Sequence, residues 1–175
     1  EPVIAIGGGV LTDVVGFAAS CYRRNVPCIR IPTTLMGYID ASIGIKTGIN
    51  CGGNKNRAGS FCPPAATILD KTLLKTCPSR HISNGIGEII KMAVIKDAGL
   101  FRLLVDEIHL IVPDRFQSSG AEILRGAVTG MMEELEPNLF ESNLERIVDF
   151  GHTFSPLIEM LDVANLLHGE AVAID

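Results

Sequence analysis

The sequence contains no Cys-x-x-Cys pair, and its cysteines (Cys21, Cys28, Cys51, Cys62 and Cys77) are odd in number. That pattern argues against a disulfide framework and reads as reduced thiols in a cytoplasmic protein. No apolar run is long enough to cross a bilayer and no signal peptide is visible, so no membrane role is expected. A basic excess is also missing. With a net charge of −5 the chain does not look like a general nucleic-acid binder, although a phosphorylated small substrate would need only a local basic pocket. Internal repeats and low-complexity stretches are absent too. What is present is 175 residues, 47% of them hydrophobic, with 18 glycines, enough for one ordinary core in one domain or parts of two. The chain opens at Glu1 on an apolar strand pattern and stops at Asp175 inside a helical one. A piece of a longer protein is therefore expected.

Pro2–Ile6 is a short apolar run closed by Gly7, Gly8 and Gly9, the pattern of a buried parallel strand. Asp13 to Tyr22 carries a helical pattern, and Cys28–Ile31 reads as a second strand. Strand, glycine turn, helix and strand together predict a βαβ unit. Residues 37–59 are rich in Gly, Asn and Lys and predict an irregular functional stretch, with another strand at Thr67–Leu69. Beyond Pro78 the pattern is helical: one long segment over Ser83–Val105, then about Arg115–Leu135, His152–Leu161 and a helix from His168. The expected architecture is α/β plus all-α, with a Rossmann-like cofactor domain over residues 1–77 and a helical domain over residues 78–175, both partial.

The glycine turn before Asp13 suits a pyrophosphate, because glycines allow close backbone approach and a helix N-terminus offers free N–H groups. It departs from the dinucleotide fingerprint, with Thr12 where the last glycine would stand, and no Gly-Lys-Ser/Thr follows as in a P-loop. A plain strand-to-helix turn is the competing reading. Asp40, Lys46, Lys55 and Asn56 punctuate the irregular stretch; each alone reads as surface, but together they suit a phosphate or a developing oxyanion. Glu88 and Lys91 share a helix face. They could form an exposed ion pair, but Ile86, Ile89, Ile90, Met92 and Ala93 surround them, so the helix should be buried. Burying that pair needs compensation, which a metal ion would give the glutamate and an anionic substrate the lysine. His152 and His168, sixteen positions apart, could each be a simple cap. If the chain turns back between two helices, they can instead join Glu88 as two imidazoles and a carboxylate with a position left open, an arrangement catalytic zinc uses.

Taken in order, Gly-Gly-Gly-Val-x-x-Asp at Gly7–Asp13, Arg24, Ile31-Pro32-Thr33-Thr34, Asp40 with Gly44, Lys46, Thr47, Gly48 and Asn50, Lys55-Asn56, Glu88-x-x-Lys91, Gly151-His152-Thr153 and His168-Gly169-Glu170 resemble the dehydroquinate synthase superfamily, the sugar phosphate cyclases. The resemblance covers essentially the whole chain. It implies an NAD-dependent, zinc- or cobalt-dependent lyase that eliminates phosphate and closes a carbocycle. It further implies metal ligation by Glu88, His152 and His168, and an NAD site lined by Gly8, Gly9, Asp13, Thr33, Thr34, Lys55 and Thr76. The catalytic and substrate set would be Asp40, Lys46, Lys91, Asn56 and Asp149, with Arg24 reaching the substrate phosphate from the neighbouring subunit of a homodimer.

Several departures from the dehydroquinate synthase pattern bear on the branch. Asp149 stands where that enzyme has Asn, Pro156 where it has a second His, and Glu145 where it has Arg; Met131 or Met132 replaces a lysine. The string Asp149 to Pro156, with Glu136-Pro137-Asn138-Leu139 and Lys55-Asn56-Arg57, resembles the branch that makes 2-epi-5-epi-valiolone from sedoheptulose 7-phosphate. That substrate has no carboxylate, which agrees with the loss of basic groups. Dehydroquinate formation, the related branch that makes desmethyl-4-deoxygadusol, and a metal-dependent alcohol dehydrogenase of the glycerol dehydrogenase type are the enzymatic alternatives. A non-catalytic fragment acting as a binding module is the alternative of another class.

Overall fold

The computed structural model describes residues 1–52, 54–161 and 165–175. Strand β1 (Val3–Gly7), helix α1 (Gly9–Cys21) and strand β2 (Cys28–Pro32) open the chain. A π-helical turn (Gly37–Ala41) leads to an antiparallel hairpin of β3 (Lys46–Cys51) and β4 (Asn54–Phe61), and a short β5 (Ala66–Thr67) follows. β1 and β2 are parallel, with Val3 opposite Cys28 and Gly7 opposite Pro32, and β5 extends the sheet to the order β1–β2–β5. Joining two parallel neighbours requires a crossover, and α1 is that crossover. Ala5, Ala19 and Cys28 are small enough to let α1 sit close on the sheet, where all three are buried. The opposite face of β1 differs from the expected buried strand. Ile4 and Ile6 are 55% and 59% exposed, since α1 covers one face only.

Arg30 alternates inward on β2 and is fully buried. Its guanidinium donates to the carbonyls of Ala41 (3.2 Å), Gly44 (2.6 Å) and Cys62 (2.9 Å), replacing water around the charge. The arginine thereby ties the π-helical turn and the end of the hairpin to the sheet.

Among the described residues five α-helices follow: α2 (Ser79–Lys96), α3 (Ala98–Asp114), α4 (Ala121–Leu135), α5 (Ser155–Glu159) and α6 (His168–Ile174). The main core joins Ile82, Ile86 and Ile89 of α2 to Leu104 and Ile111 of α3 and Ile123 of α4. Leu35, Ile39 and Leu74 belong to the same cluster, so apolar packing runs without a break across residues 77–78. Among the described residues no helix is long and apolar enough to cross a membrane.

Four further expectations differ from the structure. The single helix over Ser83–Val105 is two helices, because Asp97 accepts from the backbone N–H groups of Gly99 (2.8 Å) and Leu100 (3.1 Å) and starts a new one. The helix expected from Arg115 begins at Ala121, since Arg115 has φ +53° and ends α3. Between 37 and 59 the chain forms the π-helical turn and most of a hairpin rather than irregular loop. The helix expected over His152–Leu161 is only the short α5, which leaves His152 in the loop before it.

Candidate active site

Three elements bring Glu88, His152 and His168 together. Glu88 lies in the middle of α2 and is fully buried. His168 is the first residue of α6, and His152 precedes α5. The approach of α6 to α2 depends on missing side chains. A Cβ on Gly87 would lie 2.0 Å from the carbonyl oxygen of Gly169, and one on Gly169 would lie 1.9 Å from that of Asn84. Asn84 fixes the crossing by accepting from the Gly169 N–H at 2.7 Å. One ligand atom from each of Glu88, His152 and His168 then lies within 4.8 Å of the others. The two imidazole rings are 5.2 Å apart between centroids.

The electrostatics of this cluster fit a cation. Both Glu88 oxygens are buried, and among the described residues they face charged partners: Lys91 Nζ lies 2.5 Å from Oε2 and His168 Nε2 lies 3.5 Å from Oε1. Burial opposes ionisation of Glu88, but His168 and Lys91 outweigh it and hold its pKa at about 2. Burial likewise opposes charging His168, yet Glu159 and Glu88 push its pKa up to about 9. The carboxylates that retain this proton supply the negative charge a divalent ion would balance in its place. His152 is directed by a different acceptor, with Nδ1 3.1 Å from the Phe150 carbonyl, which leaves Nε2 free. Two imidazole nitrogens and one buried carboxylate are a suitable donor set for zinc or cobalt.

The glycine turn forms a cradle at the N-terminus of α1. A Cβ on Gly8 would meet Thr34 Cγ2 at 3.0 Å, and one on Gly9 would meet Ala41 Cβ at 3.2 Å. Among the described residues no side chain caps this helix, and its first turn carries no acidic residue, so its N–H groups remain available to an anion. Thr33 is held by its N–H to the Gly7 carbonyl (2.9 Å), and Thr34 Oγ1 accepts from Gly37 (3.2 Å). Asp13 stands half-buried in the following turn of α1.

Asp40, on the π-helical turn, is placed near the metal-type cluster. Burial and then the Glu88 carboxylate raise its pKa, while Lys91, His168 and Lys46 act in the opposite sense. Lys46 Nζ lies 2.9 Å from Glu141. Lys55 pairs with Glu159 rather than standing free, and Asn56, at φ +50°, is exposed on β4 with its N–H donating to Asn50 Oδ1 at 3.0 Å. Three expected residues are not gathered here. Arg24 is exposed beyond the C-terminal end of α1, about 20 Å along the helix from the glycine turn. Thr76 is exposed in the 3-10 turn Lys71–Thr76 before α2. Asp149 gives its carboxylate to Arg146 (3.0 and 2.6 Å), although its carbonyl accepts from the His152 N–H at 3.0 Å.

Asn84, Gly87, Arg30 and Glu159 were not singled out from the sequence, and Gly169 entered only as a motif neighbour of His168, yet all five shape the site. The only signal available was position: Asn84 and Gly87 interrupt the apolar face of α2, and Gly169 adjoins His168.

The N-terminal model of the 3-dehydroquinate synthase family matches residues 1–84 and the C-terminal model matches residues 85–175. A 2-epi-5-epi-valiolone synthase from Actinomyces sp is 51% identical over 100% of this chain and 48% of its own length. A 3-dehydroquinate synthase from Nitrosospira multiformis is 40% identical over 98% of this chain and 47% of its own. Among solved structures, ValA, the 2-epi-5-epi-valiolone synthase of Streptomyces hygroscopicus subsp. jinggangensis 5008 with NAD+ and Zn2+ bound, superposes with TM-score 0.94 at 54% identity, covering 98% of this chain and 48% of that one. The chain thus spans about half the length of the curated relatives it matches. With both halves of the family pattern matched in order along it, the chain belongs to the 3-dehydroquinate synthase family.

Proposed function

We propose that the full-length protein is a sugar phosphate cyclase that converts sedoheptulose 7-phosphate to 2-epi-5-epi-valiolone with NAD and a divalent metal, zinc or cobalt. The observation that carries this reading is the convergence of Glu88, His152 and His168 donors within 4.8 Å, beside the buried Lys91. A divalent ion held by those three side chains would polarise a substrate hydroxyl, and NAD at the glycine turn would serve as a recyclable hydride acceptor. The protein's own residues do the rest. Glu88 stays ionised at neutral pH and balances Lys91, so an ammonium remains buried beside the reacting hydroxyls, where it can hold a developing oxyanion. Lys46 and Asn56, both exposed on the hairpin, would bind the polar end of the sugar phosphate. Arg24, exposed beyond α1, would serve that phosphate from a neighbouring copy, as the family resemblance implies, and on that ground we infer a homodimer.

The choice of substrate rests on charge. Arg146 is engaged by both Asp149 and Glu141, and Glu141 also takes Lys46. A substrate carboxylate would have to compete with those acids. Met131, where the related enzyme has a cation or beside that position, is buried against Met92 and Val148 and offers no charge. A heptulose phosphate without a carboxylate suits that balance better than the heptulosonate phosphate of the shikimate pathway. Incubating the full-length protein with each sugar phosphate, NAD and zinc, and identifying the carbocycle, tests the proposal. 2-epi-5-epi-Valiolone from sedoheptulose 7-phosphate is expected. Dehydroquinate, desmethyl-4-deoxygadusol or net NADH accumulation would replace this reading with one of its rivals.

A further inference from the structure

Glu159 is the last residue of α5, and its side chain is only 9% exposed. Its two oxygens are divided between two partners. Oε1 lies 2.5 Å from His168 Nδ1, and Oε2 takes the Lys55 ammonium of β4. The other ring nitrogen, His168 Nε2, faces Glu88 Oε1 at 3.5 Å. An ionised carboxylate only accepts, so the ring nitrogen it holds keeps a proton and the opposite nitrogen is the one free to ligate. A solvent-exposed ion pair would account for Lys55 and Glu159 alone. It would not place the second oxygen against a ring whose far side meets the buried acid of the metal-type cluster.

We propose that Glu159 is a positioning residue of the metal centre. Its carboxylate fixes the orientation and Nδ1–H form of His168, so that Nε2 is aimed at an ion shared with Glu88 and His152. Lys55 holds Glu159 from the hairpin side, which links the β3–β4 hairpin to the metal ligands. This inference rests on the ligand assignment in the proposed function. Outer carboxylates of this type orient a ligating imidazole and raise its basicity, and their loss commonly weakens metal binding by about 10–100-fold.

The test measures zinc dissociation constants by chelator competition for the full-length protein and its Glu159→Gln and Glu159→Asp variants. Nitrogen-15 imidazole spectra of the zinc-loaded forms are recorded alongside. Wild type should bind zinc through His168 Nε2 and show a protected Nδ1–H. Glu159→Gln should weaken zinc about 10–100-fold and lose that protection, and Glu159→Asp, which keeps the charge, should recover part of both. Unchanged affinity with an unchanged His168 signal in Glu159→Gln would overturn the inference while leaving the ligand assignment standing. If Glu159→Gln does not fold, the wild-type spectrum decides: ligation through Nδ1 with the proton on Nε2 overturns the inference. A wild type that takes up no zinc at these residues overturns both the inference and the ligand assignment.

Discussion

At the scale of single residues, the site is a set of charges kept in place by burial and by one another. Glu88 and Lys91 were legible as a buried pair because they interrupt an otherwise apolar helix, and both are buried. His152 and His168 were legible through their glycine neighbours. Arg30 was not, because the three carbonyls its terminal nitrogens donate to come from residues 11, 14 and 32 positions away. Glu159 was hidden for the same reason, since its partner Lys55 lies 104 positions earlier. Asp13 gives the clearest residue-level prediction. Burial, partly offset by Arg30, raises its pKa from 3.8 to about 6. The folded state therefore holds this proton more tightly than the unfolded chain. Its stabilising contribution is complete below about pH 4 and is lost as the pH rises through about 6, a difference of about 1–3 kcal/mol. Urea unfolding of wild type and Asp13→Asn without cofactor should show the variant gaining on wild type by that amount between pH 4 and pH 8. A gap independent of pH would show that Asp13 titrates as an ordinary surface acid.

At the scale of elements, the crossing of α2 and α6 decides whether the ligands meet. Gly87 and Gly169 allow their backbones to touch, and a side chain on either would separate Glu88 from His168. Gly87→Ala should therefore weaken zinc binding by more than tenfold and cost about 2–4 kcal/mol of stability, the range of overpacked cores and broken backbone contacts. Gly130 in α4 is the contrasting case. A Cβ there would meet the flexible Met92 Cε at 3.4 Å and Lys96 Cδ at 3.5 Å. Gly130→Ala should be neutral or stabilise by about 0.4–1 kcal/mol while leaving zinc affinity unchanged. Chelator competition and urea unfolding on both variants check this pair, and equal losses at the two positions would contradict it. Helix boundaries were the least legible elements. The apolar period runs on through Asp97, so the break became visible only where its carboxylate caps α3. The βαβ opening was legible because its strands, glycine turn and helix are all local patterns.

At the scale of the whole molecule, the sequence carried the inventory of chemistry but not the means of assembling it. Motifs spread from Gly7 to Glu170 named the acid, the imidazoles and the lysines. Their convergence required a core in which Leu35, Ile39 and Leu74 pack with α2, α3 and α4. That continuous packing ties the π-helical turn that carries Asp40 to the helix that carries Glu88. Arg24 lies outside this arrangement within a single copy, which is the reason the proposed site includes a neighbouring subunit. Anomalous diffraction at the zinc edge from crystals of the full-length protein grown with zinc tests the central claim most directly. The expected result is one strong peak bonded to Glu88, His152 and His168 at about 2.0–2.2 Å. A zinc peak ligated by other residues, with none among those three side chains, would contradict it.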